Sequence, residues 1–342
     1  MSVTICALGP DSAGTVLMRL LARARRNIDA AIYEVGPSYR WALVRAAERG
    51  VRVRLVLDTH VSDGNAATAR ALAAAGAACR VAGVGADAAH GKLLIVDGTV
   101  AVGSGNLIWR DAPWDPHLRM RPGGPPQAGT REWWVTASRS RRLRRSATDA
   151  FDAHWATAAA PPHGWADAPD VTVPLVGAPM PQVAPRRLCI PSRRVALVIG
   201  GTAVEQTLGE MVSGARRQVL VTVPYARPDA PPVRTLLDQM AQARTRGVDC
   251  ALLLGEIPAA GDVKGLAALP FEVRQMDPAR STSGHAKGVV ADGAVLVSSA
   301  NWSAAGLGGN WEAALRIDRA GAAAYYEAAW RRDWATALPL DV

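Results

Sequence analysis

Apolar positions in this chain switch repeatedly between helical spacing and short continuous runs bounded by charge. Val16, Leu17, Leu20 and Leu21 recur three and four apart within Thr15–Arg26, which predicts a helix with one buried face. Ile28-Asp-Ala-Ala-Ile-Tyr33 reads as a short strand. A second helix is expected over Trp41–Glu48, closed by Gly50 at a position that favours left-handed backbone. Val51–Leu57 alternates apolar and charged, then turns fully apolar, as a strand entering a buried sheet does. Ala67–Ala75 predicts another helix and Cys79–Val84 another strand. Leu93–Val96 and Thr99–Val102 predict a hairpin, with Asp97-Gly98 as a favoured two-residue turn.

The pattern then repeats. Val204–Ala215 predicts a helix, and Arg216-Arg217-Gln-Val-Leu-Val-Thr-Val223 echoes Arg25-Arg26-Asn-Ile-Asp-Ala-Ala-Ile32. Arg246-Gly-Val248 echoes Arg49-Gly-Val51, and Asp292-Gly293 answers Asp97-Gly98. The closing helices share a tetrapeptide, Trp155-Ala-Thr-Ala and Trp334-Ala-Thr-Ala. Between the copies, Ala158–Pro185 carries seven of the 23 prolines and no hydrophobic period, the signature of a linker. The expected organisation is a first half over 1–157, a linker over 158–187 and a second half over 188–342. Strands alternating with helices make each half α/β, with helices packed on a mixed sheet.

Composition adds bounds. A chain of 342 residues can bury two cores, and 49% hydrophobic with 20% charged residues describes an ordinary globular protein. The first ten residues lack a basic, then apolar, leader, and no apolar run reaches the ~18 residues of a membrane span. The expected location is cytoplasmic. Cys6, Cys79, Cys189 and Cys250 are scattered, which predicts buried thiols rather than disulfides or zinc. A net charge of +9 favours polyanionic partners: nucleic acid, an anionic membrane surface or phosphorylated substrates. Only three of 39 basic residues are lysine (Lys92, Lys264, Lys287), as a GC-rich genome encourages. Lysine is a compact, rotatable ammonium where arginine is a planar fork. Its retention at Lys92 and Lys287 points to a site needing the compact group.

Those two lysines sit in a duplicated motif. His90-Gly-Lys92-Leu-Leu-Ile-Val-Asp97 continues to Gly103-Ser104-Gly-Asn106 and then Glu132; His285-Ala-Lys287-Gly-Val-Val-Ala-Asp292 continues to Ser298-Ser299-Ala-Asn301 and then Glu312. His90 and His285 are 195 apart but Glu132 and Glu312 only 180, so the first half carries an insertion of about fifteen residues between Asn106 and Glu132. It holds Trp109, Arg110, Trp114, His117, Arg119 and Arg121 with a Gly/Pro cluster, which predicts an irregular loop beside the site. Displacement at a phosphodiester needs a nucleophile, an acid for the leaving oxygen and cations around the non-bridging oxygens. Histidine does either of the first two jobs near neutral pH, and two copies supply one of each.

The paired motif resembles the HKD signature of the phospholipase D superfamily, in its single-chain form with two motifs. The resemblance spans about Thr15–Trp334, outside the linker and the inserted loop. It implies two α-β-α sandwich halves related by a pseudo-twofold, with both motifs in one cleft. It implies a phosphohistidine on one histidine and protonation of the leaving alcohol by the other, assigned here as His90 and His285. Lys92, Lys287, Asn106 and Asn301 are expected to hold phosphoryl oxygens, and Glu132 and Glu312 each to orient a histidine. Ser104 and Ser299 are expected supporting hydroxyls, and Asp97 and Asp292 turn residues. No metal or other cofactor is expected, and a monomer suffices because both motifs share a chain. Ser298 stands where the family carries glycine.

Unduplicated residues are read more plainly. His60, His117, His154 and His163 are expected at the surface or in packing. Arg139–Arg145 reads as a solvated helix face, although it could track a polyanion. With only two phenylalanines, most of the eleven tryptophans should be core, leaving Trp109, Trp114 and Arg110 as substrate-contact candidates. The expected function is a metal-independent phosphodiesterase that hydrolyses or transfers the phosphatidyl group of phospholipids. The alternative is a nuclease of the same superfamily, favoured by the positive charge. A catalytically silent binding module is the third reading.

Overall fold

The computed structural model describes residues 1–83, 87–114, 129–162, 183–279 and 283–340. His117, Arg119 and Arg121 of the inserted loop, His163 and most of the proline-rich linker lie outside the described residues.

The first half runs β1 (Ser2–Gly9), α1 (Ala13–Ala22), β2 (Asn27–Ile32), α2 (Pro37–Glu48), β3 (Arg52–Asp58), α3 (Ser62–Ala74), β4 (Ala78–Ala82), β5 (Lys92–Val96), β6 (Thr99–Gly103), β7 (Thr130–Ser138), α4 (Arg141–Thr157) and β8 (Arg186–Ile190). The second runs β9 (Val195–Ile199), α5 (Gly201–Gly214), β10 (Gln218–Val223), α6 (Pro231–Thr245), β11 (Asp249–Leu254), α7 (Ala260–Ala267), β12 (Glu272–Gln275), β13 (Ser283–Gly284), β14 (Gly288–Ala291), β15 (Ala294–Ser298), β16 (Ala313–Ile317), α8 (Ala320–Ala335) and β17 (Leu338–Pro339).

The sheet orders express the internal repeat. One is β4-β3-β2-β5-β6-β7-β1-β8, the other β17-β12-β11-β10-β14-β15-β16-β9. Strands β2, β3 and β4 are parallel to one another, as are β10, β11 and β12, while the hairpins after them run antiparallel. A parallel neighbour requires a crossover, which is why a helix separates each of β2, β3, β10 and β11 from the parallel strand that follows it. The β5–β6 turn has φ of 49° at Asp97 and 84° at Gly98, the left-handed pair that suits a two-residue hairpin.

Three apolar clusters give the layers. One packs α1, α2 and α3 on the outer face of the first sheet, and a second packs α5, α6 and α7 on the outer face of the other. The third lies between the sheets and includes Trp133, Phe151, Val290, Val297, Tyr326 and Trp330. Helices α4 and α8 occupy that middle layer, and burying the inner face of each sheet against the other half fuses the two into one body. Tyr326 Oη donates to Trp134 O across it at 2.6 Å.

Several expectations change. The boundary placed at 187/188 falls inside β8, which pairs with β1 through Ser2–Ile190 to Cys6–Arg186 and so extends the first sheet. Ala159, expected in the linker, makes both backbone hydrogen bonds with Val81 at 2.8 Å on the opposite edge. The linker's described ends are thus tied to the first half. Helix α2 begins earlier than its apolar spacing indicates, because Pro37 opens it with its preset φ, and α3 begins at Ser62. Cys189 is exposed, since β8 is an edge strand, whereas Cys6 and Cys250 are buried; all four thiols are free.

A buried ion triad pins the halves. Arg131 on β7 donates from Nη1 to Asp11 Oδ2 at 2.7 Å and from Nη2 to Asp333 Oδ1, on α8, at 3.2 Å. All three side chains are under a tenth exposed. Removing one partner strands buried charge, so Arg131→Met is expected to cost about 3–5 kcal/mol. Urea unfolding checks this, and an unchanged midpoint refutes it.

Candidate active site

Lys92 opens β5, where it pairs with Ile32 at the end of β2, and Lys287 immediately precedes β14. Each histidine lies two residues earlier, on a segment crossing to the other half. His285 N donates to Arg131 O at 3.0 Å, continuing the pairing of β13 with the start of β7. On the other side Trp311 N donates to Ala88 O at 2.9 Å, and Ala88 N donates to Asn310 Oδ1 at 2.9 Å. Asp58, fully buried, accepts Ala89 N at 2.6 Å and His60 Nδ1 at 2.8 Å, fixing the approach to His90. Packing there is close enough to dictate glycines. A Cβ at Gly91 would lie 2.1 Å from the Trp311 ring, and one at Gly288 2.1 Å from the Trp133 ring.

The histidine–glutamate pairs are therefore crossed. His90 Nδ1 lies 3.0 Å from Glu312 Oε1, and His285 Nδ1 lies 2.8 Å from Glu132 Oε1. Ser299 Oγ donates to Glu312 and Ser104 Oγ to Glu132. Each hydroxyl also accepts a backbone N–H at 2.9 Å, from Ala313 and Trp133 respectively. The result is two Ser–Glu–His relays, each running from one half into the other. The reciprocity is what a pseudo-twofold requires.

Both lysines are buried, and each ammonium turns back to its own motif: Lys92 Nζ to His90 O at 2.6 Å, Lys287 Nζ to His285 O at 2.7 Å. Lys92 Nζ also sits 5.1 Å from the centre of the Tyr33 ring. Burial pushes Lys92 down to about 7 and Lys287 to about 8, partly offset by the glutamates. An incoming phosphate anion reverses that penalty. Both imidazoles are also held below their ordinary pKa, by burial first; at His90 Glu312 pulls the other way, and at His285 Lys287 adds to the effect. Burial raises Glu312, but its interactions with His90, the Lys92 ammonium and the Ser299 hydroxyl outweigh that and hold it below the ordinary carboxylate range. His90 thus donates its Nδ1–H to a carboxylate and leaves Nε2 with a free lone pair.

The oxygens Asn106 Oδ1 and Asn301 Oδ1 are buried without a hydrogen-bond partner, while Asn301 Nδ2 donates to Tyr225 Oη at 3.1 Å. Asp97 and Asp292 lie at the far ends of their hairpin strands, about 17 Å from the lysines at 3.3 Å per residue. Asp97 accepts the N–H groups of Arg25, Arg26 and Asn27, and Asp292 those of Arg216, Arg217 and Gln218, at 2.8–3.0 Å. They hold hairpin to sheet and do not reach the cleft.

Of the substrate-contact candidates, Trp109 and Arg110 are exposed, 42% for Trp109. Trp114 instead packs against the outer α1–α3 cluster, because Ala112–Pro113 presses on α1 at Gly14. His154 is buried, stacked on Trp311 at 4.3 Å. Sequence reading missed Tyr33, whose ring meets His90 edge-on at 5.0 Å, and Tyr225. It also missed Asp111, which is 1% exposed and whose carboxylate lies within 4.8 Å of Glu132 and His285. Its only signal was as one of two aspartates, with Asp115, inside an otherwise Trp/Arg-rich insertion. These three could offer a cation ligands, but Glu132 is committed to Ser104 and His285, and Lys287 and Lys92 repel a second positive charge.

Two fused α/β halves sharing one cleft lined by paired His, Lys, Asn, Ser and Glu define a phospholipase D-like protein. Residues 17–113 and 208–334 match the family described as "Cardiolipin synthase, PLD-like domain", and the chain belongs to it. No curated protein matches the chain. Among solved structures it resembles phosphatidylserine synthase from Haemophilus influenzae Rd KW20, at 13% identity and TM-score 0.65 over 98% of this chain and 87% of that one. It also resembles polyphosphate kinase from Porphyromonas gingivalis, at 13% identity and TM-score 0.61 over 97% of this chain. The chain spans half the length of that kinase. At these identities the likeness shows the fold. Family membership supports an enzyme of phosphodiester or phosphoryl-transfer chemistry.

Proposed function

We propose that the protein is a metal-independent phosphodiesterase of phospholipase D type that hydrolyses or transfers the phosphatidyl group of phospholipids. The observation that carries the chemistry is the meeting of two crossed Ser–Glu–His relays and two buried lysines in one cleft. His90 Nε2 attacks phosphorus, forming a P–N bond as the P–O bond to the leaving alcohol breaks. His285 supplies the proton to that oxygen. Water or a second alcohol then gives its proton to His285 and displaces His90, restoring both groups. Lys92, Lys287 and the asparagines balance charge on the non-bridging oxygens.

The lipid substrate is supported by the family's cardiolipin synthase description and by exposed Trp109, three residues after Asn106 in the chain. The placement of the arginine run also favours it. Arg144 packs on Gly98 beside the Asp97 turn, at the opposite end of β5 from Lys92, so Arg139–Arg145 does not line the cleft. No helix among the described residues is long and apolar enough to cross a membrane. The test offers short-chain phosphatidylcholine, bis(4-nitrophenyl) phosphate and single-stranded DNA, each with EDTA. Lipid and aryl diester should turn over undiminished by the chelator. Loss of all turnover on chelation overturns the metal-free chemistry, and cleavage of DNA but not lipid overturns the substrate.

A further inference from the structure

The two halves match through Ser, Asn, Glu, His and Lys, and then differ at one buried position beside the site. Asp111 follows Asn106 by five residues; at the same distance from Asn301 the second half has Gly306. Asp111 Oδ2 accepts Asn106 N–H at 2.7 Å, whereas backbone of Asn301 fills the space beside Gly306. The carboxylates also differ in company. Glu312 receives Asn310 Nδ2 at 3.2 Å in addition to Ser299 and His90. Glu132 accepts from Ser104 and lies 2.8 Å from His285 Nδ1 but faces the carboxylate of Asp111.

Asp111 is surrounded by charge from several elements. Glu132 on β7 and His285 before β14 lie within 4.8 Å, Lys287 Nζ sits 2.8 Å from His285 Nδ1 and 2.9 Å from its Nε2, and both Lys92 and Lys287 feel the Asp111 charge. Arg110 Nε lies 3.7 Å away on the outer side, and Glu34 after β2 and Tyr39 on α2 feel its field. With both histidines neutral, three carboxylates then face two lysines in a cleft that must admit an anion. Two buried carboxyls within 4.8 Å do not both stay ionised under those conditions.

We propose that Asp111 is a positioning residue that keeps a proton on the Glu132–His285 relay, making His285 the acid end of the site and leaving His90 as nucleophile. This rests on the phosphodiester reading. In the first step His285 Nε2–H passes to the leaving oxygen while Nδ1 takes the proton held by Glu132, which ends as a carboxylate. In the second step the attacking water or alcohol protonates Nε2, and Nδ1 returns its proton to Glu132. Atoms and charge balance, and no other reagent enters. Burial, then the Glu132 charge, raises Asp111, and burial lifts Glu132 to about 7, while Glu312 is held down.

Asp111→Asn keeps an acceptor for Asn106 N–H but loses the charge; Asp111→Gly installs the residue of the other half. Each is compared with wild type on short-chain phosphatidylcholine, whose alkyl leaving group needs a proton, and on bis(4-nitrophenyl) phosphate, whose leaving group barely does. Turnover of the lipid is expected to fall ~10²-fold and that of the aryl diester by less than about threefold. Asp111 raises the relay's proton affinity, so its loss should also move the alkaline limb of kcat/KM for the lipid down by about one pH unit. Equal losses on both substrates, or none, overturn the role of Asp111. A wild-type protein inert on both diesters overturns the phosphodiester reading and this inference with it.

Discussion

His90→Ala is expected to abolish turnover of every phosphodiester, by at least ~10⁴-fold, because no other described group is poised to form the covalent intermediate. Its Nδ1 is held by ionised Glu312, so the free lone pair points away from the relay. His285→Ala should behave differently. It removes the proton donor and spares the nucleophile, so an alkyl diester should lose about 10²–10⁴-fold while a 4-nitrophenyl diester retains most of its rate of phosphoenzyme formation. Rapid acid quench with a labelled diester reads the covalent intermediate directly. It should accumulate in His285→Ala, whose second step lacks its base, and be absent in His90→Ala. The same leaving-group dependence in both variants would sink the division of roles, and full activity in either would refute the pair.

The second large effect tests the crossing of the halves. Glu312→Gln should reproduce a weakened His90, and Glu132→Gln a weakened His285, each losing about 10–100-fold, as outer residues that orient a functional histidine do. The expected partners are 222 and 153 residues apart. Double-mutant cycles on the 4-nitrophenyl diester decide it: adding Glu132→Gln to His285→Ala should cost almost nothing further, whereas adding Glu312→Gln should compound the loss. Coupling of each histidine to the glutamate of its own half would contradict the geometry.

Much of this was legible along the chain because spacing and period are local properties. The β5–β6 hairpin and its Asp-Gly turn, the β2 and β3 strands and the duplicated His, Lys, Asn and Glu follow from residue order alone. The short edge strands were not, and for a physical reason. β8, with Arg186 and Arg187 in an exposed run, gains its pairing from β1 and carries no period of its own. Of the tryptophans, Trp133, Trp134, Trp302 and Trp330 are buried in the core, Trp155, Trp311 and Trp334 pack partly buried against it, and Trp41 and Trp109 are exposed. Trp114 joined the outer core instead because the insertion folds back over α1.

What the sequence by itself determined is the inventory: two copies of an α/β unit, each with one histidine, one lysine, one asparagine and one glutamate at fixed spacing. Only the tertiary structure decided how the inventory is wired. Burying the inner faces of both sheets against each other rotates the halves so that each histidine meets the other half's glutamate. It also carries Asp97 and Asp292 to the far end of the hairpins and brings Asp111 beside Glu132 alone. A linear motif records distance along the chain, whereas charge and proton sharing depend on distance in space. The two copies are alike in sequence, yet one Asp facing one Gly leaves their cleft electrically unequal.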